Sequence, residues 1–504
     1  MKKEGKEKFF WSDQIADEII KRNKNKKVYT CASGITPSGK IHIGNFREII
    51  TTDLVVKSLE KKGKKVRFIY SWDDFDRFRK VPINVPNSYE KYLGMPLSEI
   101  PSPFDKKNNY AEYFEKEFEE VSKKVGVNPK FIYQNIMNKK HKYALLMKTA
   151  IDKRKDIMKI LNKYRKEPLK KDWMPIEVYC EKCKKDFTKI LNVKGYEVEY
   201  ECACGFKDKF DFRKKGYVKM KWRVDWPARW HYEKVDFEPG GADHSAAGGS
   251  FETGKQIIKE VYNDIAPVYY LYEWITVKGI ALKDFHSSKG NTMTIQEVLE
   301  VYEPEILRYL FVGTRPNKGF EISFDNDVIK IYDEFDALER KYYNKESNPK
   351  EKRIYELSIV KVGKTKPNRI NFRHLMTFVQ VGKTKELDKL NKIRGEKVKN
   401  WLEKYAGEDM KFEIQEKINE DVSLSDGQKK ALLMLKETLK TKKLTEDNLF
   451  NEFYKICEAA EIKNSEFFQG AYNVIINRNK GPRLTNLILA VGKEKIIKLL
   501  EQIK

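Results

Sequence analysis

Apolar and polar positions near the N-terminus alternate in a way that predicts strands and one long helix. The run Val28-Tyr-Thr-Cys-Ala-Ser33 is rich in residues that favour strands, and a Gly/Pro/Ser loop follows at residues 34–40. A helical pattern then runs from Gly44 to about Leu59, ahead of a second β-rich run from Lys65 to Ser71. Strand, glycine-rich loop, helix and strand in this order indicate the start of a nucleotide-binding α/β sheet.

Between about residues 84 and 215 this alternation stops. Two amphipathic helical stretches, Asn109 to Val125 and Asn138 to Tyr164, precede a group of four cysteines. Turn-rich segments with β-like patterning return from about residue 217, with many glycines between Gly240 and Gly254. We therefore expect an inserted domain that splits one α/β domain into two parts.

After about residue 325 the glycines become fewer and helical periodicity dominates. Ser425-x-x-Gln428 is a capping box, and leucines 432, 435 and 439 then line one face of a helix. We expect an all-α domain that is rich in lysine. The predicted segments are residues 1–83 (first half of a Rossmann-like domain), 84–216 (insertion with helices and a zinc ribbon), 217–324 (second half, with a phosphate loop) and 325–504 (helical domain).

Basic residues outnumber acidic ones by a wide margin. The 504-residue chain has 100 Lys and Arg against 75 Asp and Glu, a net charge of +25 and a pI near 9.4. This excess favours a polyanionic partner such as nucleic acid, with a solvated, Lys-rich surface as the plainer alternative. The N-terminus has no apolar signal-peptide core, and no run of eighteen apolar residues occurs. We expect a soluble, cytoplasmic protein with no membrane partner.

The loop after the first predicted strand carries two adjoining motifs. Gly34-Ile-Thr-Pro-Ser-Gly39-Lys40 has the spacing of a P-loop, but Ile41 stands where that motif needs a magnesium-binding hydroxyl. His42-Ile-Gly44-Asn45 follows and resembles the H-I-G-H signature of class I aminoacyl-tRNA synthetases. A helix N-terminus here offers N–H groups and a positive dipole to a phosphate, with the imidazole and the carboxamide as further donors. A histidine that merely caps a helix is the alternative.

A second loop, late in the α/β domain, resembles the other phosphate loop of the same class. Asp284-Phe-His286-Ser287-Ser288-Lys289-Gly-Asn291 is similar to K-M-S-S-S-K-G-N, with Asp284 and His286 in place of the first lysine and the first serine. Two hydroxyls and Lys289 still suit pyrophosphate oxygens. Between the two loops, Gly241-Ala-Asp243-His244 resembles a G-x-D-H block, whose carboxylate can accept hydrogen bonds from ribose hydroxyls.

Further blocks extend the resemblance to class I lysyl-tRNA synthetases over nearly the whole chain. They are Ser71-Trp-Asp-Asp74, Trp222-Arg-Val-Asp225-Trp226-Pro-Ala-Arg-Trp230, Tyr272-Glu273-Trp274, Phe467-Phe-Gln469 and Gly481-Pro-Arg-Leu484. The resemblance implies a Rossmann-like nucleotide-binding catalytic domain and an all-α C-terminal anticodon-binding domain. It also implies ATP-dependent ligation of lysine to tRNA(Lys) through a lysyl-adenylate, with Mg²⁺ accompanying ATP.

The resemblance also implies roles for residues of the matched blocks. Residues implied to take part in catalysis are His42, Asn45, Ser287, Ser288 and Lys289. Residues implied to bind ATP are Pro37, His42, Gly44, Asn45, Asp243 and Lys289. Residues implied to bind lysine are Gly34, Thr36, Trp222, Asp225, His244, Tyr272 and Glu273. Carboxylates and aromatic faces both attract an ammonium group, although core packing is the alternative for each aromatic residue.

Four of the six cysteines are spaced as metal ligands. Cys180-x-x-Cys183 and Cys202-x-Cys204-Gly205 flank a stretch, Lys189 to Val198, that is suited to a hairpin. Four thiolates favour a closed tetrahedral Zn²⁺ site with a structural role, since no open ligand position is evident. Cys31 and Cys457 are isolated, which is typical of core residues.

Three other functions compete with this interpretation. A P-loop NTPase is disfavoured by Ile41. A non-catalytic tRNA-binding paralogue is favoured only by the changed residues Asp284 and His286. A synthetase for glutamate would require arginine in a pocket where the chain offers tryptophan, aspartate and glutamate.

Overall fold

The chain folds into two compact units. The computed structural model describes residues 10–278, 293–441 and 445–503. The first unit, the α/β unit, comprises Met1–Val298, Pro304–Ile322 and Ser347–Val362. The second, the helical unit, comprises Leu299–Glu303, Ser323–Glu346 and Gly363–Lys504. The four segments drawn from the sequence, and the three boundaries between them, stay a prediction.

Strands and helices follow one another through the α/β unit, and helices alone make up the helical unit where it is described. The strands are β1 (Val28–Ile35), β2 (Lys65–Trp72), β3 (Lys130–Tyr133), β4 (Ile176–Val178), β5 (Thr188–Lys194), β6 (Glu197–Cys202), β7 (Lys207–Asp211), β8 (Val218–Met220), β9 (Phe237–Gly241), β10 (Val268–Tyr272), β11 (Ile275–Val277) and β12 (Phe320–Ile322). The α-helices are α1 (Trp11–Arg22), α2 (Ile43–Lys61), α3 (Tyr110–Lys124), α4 (Gln134–Lys139), α5 (Ala144–Asp152), α6 (Arg154–Asn162), α7 (Trp222–Glu233), α8 (Ala242–Ser245), α9 (Ser250–Tyr262), α10 (Ile295–Val301), α11 (Pro304–Gly313), α12 (Asp327–Tyr343), α13 (Pro349–Ser358), α14 (Phe372–Gln380), α15 (Lys389–Lys404), α16 (Asp426–Thr441), α17 (Glu446–Ala459), α18 (Asn464–Ile476), α19 (Leu484–Val491) and α20 (Lys493–Leu500).

A five-stranded parallel sheet in the order β10-β9-β1-β2-β3 forms the centre of the α/β unit. β1 pairs with β2 along its whole length, from Val28 opposite Lys65 to Ile35 opposite Trp72. β9, which follows the insertion, pairs on the other side of β1. Segments before and after the insertion therefore contribute to one sheet, and the predicted α/β fold is confirmed.

Helix α2 returns from the carboxyl end of β1 and packs on the sheet. Leu54, Val55 and Leu59 on this helix share a core with Trp11 and Ile15 of α1. A parallel strand–helix–strand unit places the helix N-terminus at the edge where the strands end. The loop after β1 and the first turn of α2 therefore lie at the carboxyl edge of the sheet, where such folds bind ligands.

The insertion contains short helices and a small antiparallel sheet. The predicted helical stretch from Asn138 to Tyr164 contains the end of α4 and the whole of α5 and α6. His141, just after α4, takes a left-handed backbone conformation (φ 57°), which does not continue a helix. Strands β5, β6 and β7 form the ribbon, and β4 pairs with β8 at its base to form the stem. The predicted hairpin from Lys189 to Val198 falls within β5 and β6.

The helical unit is built on the apolar faces of its helices. Leu432, Leu435 and Leu439 of α16 are buried in one core with residues of α17 to α20. Ser425 Oγ accepts from Gln428 N–H at 3.2 Å, and Gln428 Oε1 accepts from Ser425 N–H at 3.0 Å, so the predicted capping box is confirmed. In the part of the chain that the structure describes, no helix has the length and apolar character needed to cross a membrane.

Candidate active site

A carboxylate from α2 meets the ends of β1 and β10 at the carboxyl edge of the sheet. Gly34, near the end of β1, donates its N–H to Glu48 Oε1 at 2.8 Å. The hydroxyl of Tyr272, the last residue of β10, donates to Glu48 Oε2 at 2.8 Å. Burial raises the pKa of Glu48 to about 8, although both hydrogen bonds oppose this rise. Glu48 thus joins two residues that the sequence implied to bind lysine.

Gly34 allows β1 and β2 to approach each other closely at this edge. A Cβ at this position would lie 2.5 Å from Ser71 O and 2.9 Å from Ser71 Cβ. The hydroxyl of Ser71 is fixed in turn, because it accepts from Gln134 Nε2 at 2.7 Å and from Arg229 Nη1 at 2.9 Å. The backbone of the sheet itself therefore requires glycine at position 34.

A buried arginine on α7 neutralises two of the nearby carboxylates. Arg229 Nη1 donates to Asp73 Oδ1 at 2.7 Å, and Arg229 Nε lies 3.1 Å from Asp225 Oδ2, one helical turn earlier. Burial raises the pKa of Asp225 to about 6, and the charges of Arg229 and Lys219 oppose that rise. Asp225, which the sequence implied to bind lysine, is therefore part of an internal ion-pair network.

Aromatic rings from α7 and α8 lie together beside this network. Trp222 and Trp226 stack with their ring centres 5.4 Å apart and their planes 13° apart. The ring of His244 is 6.1 Å from Trp222 and 5.6 Å from Trp226. Trp226 is buried, whereas Trp222 and His244 are partly exposed and can present their faces to a cation.

Asp243 and Glu273 lie on the segments after β9 and β10. Asp243 is exposed, and its Oδ2 is 3.7 Å from His244 Nε2. Glu273 donates its N–H to Pro316 O at 2.8 Å. Burial lowers the pKa of Arg47 to about 10, and the charge of Glu273 opposes this change. Glu273 therefore acts on Arg47, and the structure does not bring it into the hydrogen-bonded group around Glu48.

The first turn of α2 carries the residues that the sequence assigned to the α-phosphate. His42 forms an antiparallel bridge with Thr294, and Ile43 N–H donates to Met293 O at 2.8 Å. Asn45 Oδ1 accepts from His42 N–H at 3.2 Å, so the carboxamide oxygen caps the helix. This turn, which the resemblance implies to bind phosphate, is therefore tied to the segment that precedes α10.

The remaining residues that the resemblance implies to bind ATP or lysine differ in how far the structure describes them. Pro37 is buried, and Gly44 is partly exposed at the start of α2. Thr36 Oγ1 donates to Asp76 Oδ2 at 3.3 Å. The predicted second phosphate loop lies outside the described residues, and with it Ser287, Ser288 and Lys289.

The four spaced cysteines come together at the tip of the stem. Cys180 Sγ lies 3.7 Å from Cys204 Sγ, and Cys183 Sγ lies 3.6 Å from Cys202 Sγ. All four sulfur atoms are within 4.8 Å of one another. A tetrahedral ion with metal–sulfur bonds of about 2.3 Å separates its ligands by about 3.8 Å. The four thiols fit such an ion and could hold it.

Two residues at this edge were not found from the sequence. Glu48 lies one helical turn after Gly44 on α2, so its spacing from the phosphate motif was a usable signal. Lys219 forms an ion pair with Asp76, 143 positions away, and no sequence pattern marks that pairing.

Three features together define a class I aminoacyl-tRNA synthetase. They are the parallel sheet, the His-Ile-Gly-Asn turn at its carboxyl edge and a separate helical unit. The family model described as "tRNA synthetases class I (K)" matches residues 9–361, and the model described as "Anticodon binding domain" matches residues 382–504. The chain belongs to the class I (K) tRNA synthetase family.

Relatives from bacteria and archaea match along nearly the full length of the chain. A lysine–tRNA ligase of Borreliella burgdorferi is 42% identical over 97% of this chain and 98% of its own length. A lysine–tRNA ligase of Pyrococcus horikoshii is 39% identical over 97% of this chain and 99% of its own length. A third lysine–tRNA ligase, from Methanocaldococcus jannaschii, is 36% identical over 97% of this chain and 98% of its own length.

Proposed function

We propose that this chain ligates lysine to tRNA(Lys) with ATP and Mg²⁺. A carboxylate oxygen of lysine attacks the α-phosphorus of ATP, the bond from that phosphorus to the bridging oxygen breaks, and pyrophosphate leaves. The 2′-hydroxyl of the terminal tRNA ribose then attacks the carbonyl carbon of the lysyl-adenylate, and AMP leaves. The N–H groups at the start of α2, with His42 and Asn45, stabilise the charge on the α-phosphate in the first step.

The observation that supports lysine as the amino acid is the carboxylate of Glu48. Gly34 N–H and Tyr272 OH hold its two oxygens, and no Lys, Arg or His side chain of the described residues pairs with it. Its raised pKa reflects burial without a compensating cation. The ε-ammonium of lysine supplies that cation and makes the ionised carboxylate favourable.

Three other acidic side chains nearby already have cationic partners, and a fourth, Glu238, accepts from the indole N–H of Trp230 at 2.6 Å. Asp73 and Asp225 share Arg229, and Asp76 pairs with Lys219. Glutamate as the substrate would place a second carboxylate near Glu48, and two like charges in a buried site are unfavourable.

The helical unit offers a basic cavity to RNA. The cavity has a volume of about 470 Å³, and its cationic lining residues are Arg373, Lys411, Arg478, Lys480 and Arg483. Within the described ranges, Arg478 and Lys480 form no ion pair, so both charges are available to phosphates. A cavity of this size suits one unstacked nucleotide of a single-stranded loop, and we assign this unit to the anticodon of tRNA(Lys).

The four-cysteine group holds Zn²⁺ in a structural role. Its support is the set of four sulfur atoms at tetrahedral spacing with no open ligand position. The chain works in the cytoplasm, where reduced thiols remain available to metal.

ATP–pyrophosphate exchange with each amino acid in turn, with and without tRNA, tests the proposed function. We expect exchange with lysine that His42→Ala abolishes and that Glu48→Gln weakens about 100-fold through the KM for lysine. Glu60→Gln is the matched control, because Glu60 is an exposed residue of the same helix. Exchange with another amino acid, or none while tRNA still binds, would contradict the proposal.

A further inference from the structure

The segment that follows β2 is attached to the stem of the cysteine ribbon. Tyr179 precedes Cys180 directly, and its hydroxyl donates to Phe75 O at 2.8 Å. The rings of Tyr179 and Phe75 also pack edge to face, 5.1 Å apart. The ammonium group of Lys219, in the middle of β8, donates to Asp76 Oδ1. Phe75 is therefore held by the residue that directly follows β4, and Asp76 is held by a residue of β8.

The next residue extends this attachment towards the first pair of cysteines. Arg77 Nη1 lies 2.9 Å from Asp186 Oδ2, three residues after Cys183. Asp186 N–H in turn donates to Gly94 O at 2.8 Å. Residues 75–77 thus meet the insertion through three successive and chemically different contacts.

The same segment also touches the proposed lysine site. Asp76 uses Oδ1 for Lys219 and Oδ2 for Thr36, whose Oγ1 donates at 3.3 Å. Thr36 lies in the loop between β1 and α2, two residues after Gly34, whose N–H binds Glu48. Asp76 is thereby a bridge between a residue of the stem and a residue of the pocket.

The bridge depends on a charge that is largely removed from water. The side chains of Lys219 and Asp76 are 11% and 17% exposed. Burial alone would raise the pKa of Asp76, but the ammonium of Lys219, with Arg79 and Arg229, holds it below its usual value. Asp76 therefore stays ionised and keeps an acceptor directed at Thr36. Without Lys219, the buried carboxylate would lose the cation with which it is in direct contact.

We propose that Lys219 is a positioning residue for the lysine site, which it couples to the stem of the cysteine ribbon through Asp76 and Thr36. This rests on the proposed function, together with the sequence resemblance, which implies that Thr36 binds lysine. Lys219 does not touch the substrate. Lys219 fixes the position of Asp76, which in turn orients the Thr36 hydroxyl. Lys219 also neutralises the charge of Asp76, so that the substrate ammonium pairs with Glu48 and not with Asp76.

The test compares KM values for lysine and for ATP in the full-length chain, by lysine-dependent ATP–pyrophosphate exchange with tRNA present. We expect Lys219→Met to raise the KM for lysine about tenfold, while the KM for ATP changes by less than about twofold. Lys219→Arg, which keeps the charge, should return the KM for lysine to within about threefold of the unchanged chain. Lys209→Met removes an exposed ion pair with Glu197 on the same ribbon and should change neither constant.

A double-mutant cycle shows whether Lys219 acts through Thr36. Thr36→Val alone should raise the KM for lysine about as much as Lys219→Met, and adding Lys219→Met to it should raise the KM by less than about threefold more. If Lys219→Met unfolds, the double variant Lys219→Met/Asp76→Asn removes both buried charges and takes its place.

The outcomes separate this inference from the proposed function. An unchanged KM for lysine in folded Lys219→Met, equal rises for lysine and ATP, or full additivity with Thr36→Val would overturn the positioning role alone. Absence of lysine-dependent exchange in the unaltered chain would overturn the proposed function and this inference with it.

Discussion

We expect lysine binding to depend on pH between 6 and 8, because the pKa of Glu48 is raised. Burial raises this pKa to about 8, so the unliganded carboxyl group is mostly protonated at neutral pH. The ammonium of lysine requires the ionised form, so binding must release the proton. The contribution of Glu48 to affinity therefore rises with pH up to about pH 8 and changes little above about pH 9.

The size of the effect follows from linkage. Each unit below pH 8 weakens binding about tenfold, so the loss at pH 6 is about 100-fold, or ~2.7 kcal/mol. At pH 7 about 0.9 proton should leave Glu48 for each lysine bound, and at pH 9 about 0.1. Glu238, whose pKa burial raises to about 7, also titrates in this range. Glu48→Gln therefore isolates the contribution of Glu48.

Isothermal titration calorimetry measures both quantities directly. Lysine is titrated into the chain at pH 6, 7, 8 and 9, in two buffers with different ionisation enthalpies, and the tRNA concentration is held constant. The difference in heat between the buffers gives the number of protons released. Equal affinities at pH 6 and pH 8, or an unaltered proton count in Glu48→Gln, would refute the assignment of Glu48 to the ammonium.

Three further predictions concern the sheet, the cysteines and the basic cavity. Gly34→Ala should lower the free energy of unfolding in urea by about 1–3 kcal/mol, because the added Cβ would lie 2.5 Å from Ser71 O. Gly395→Ala is the control: it lies in a helix, its added Cβ would have its nearest contact at 3.6 Å, and it should raise the free energy of unfolding by up to about 1 kcal/mol. Equal effects of the two substitutions would contradict the packing argument. Cys183→Ser should reduce bound zinc, measured by mass spectrometry, from one ion per chain to nearly none, and retention of the ion would rule out this residue as a ligand. Arg478→Ala/Lys480→Ala should reduce the slope of log K for tRNA against log salt by about 1.4, and an unchanged slope would place the anticodon elsewhere.

Local sequence patterns were sufficient to predict the first strand–helix–strand unit. The apolar runs of β1 and β2 and the loop between β1 and α2 have clear signals, and the observed elements extend the predicted ones by only one or two residues. The helical pattern from Asn138 to Tyr164 predicted helices but not the breaks between them, because periodicity reports which face is apolar and does not report turns such as that at His141.

The electrostatic partners in the site were largely beyond the reach of sequence reasoning. The resemblance implies that Asp225 binds lysine, and in the folded chain Arg229 pairs with it. Arg229 also pairs with Asp73, which is 156 positions away in the sequence. Such partners, distant in the sequence, decide which carboxylate has no cation within the protein and can pair with a cationic ligand. Glu48 could have been found by its spacing from Gly44, whereas the pairing of Lys219 became visible only in the folded chain.

The position of β1 in the sheet also has a consequence for folding on the ribosome. Thr30 N–H binds Asp236 at 2.7 Å, yet these residues are 206 positions apart, because the insertion is synthesised between them. Because chains are synthesised at about 5–20 residues per second, roughly 10–40 s pass between the synthesis of β1 and that of β9, its partner on this edge. During that interval an apolar strand has an unpaired edge, which can associate with other nascent chains. Efficient production of this enzyme therefore depends on keeping that edge covered until β9 emerges.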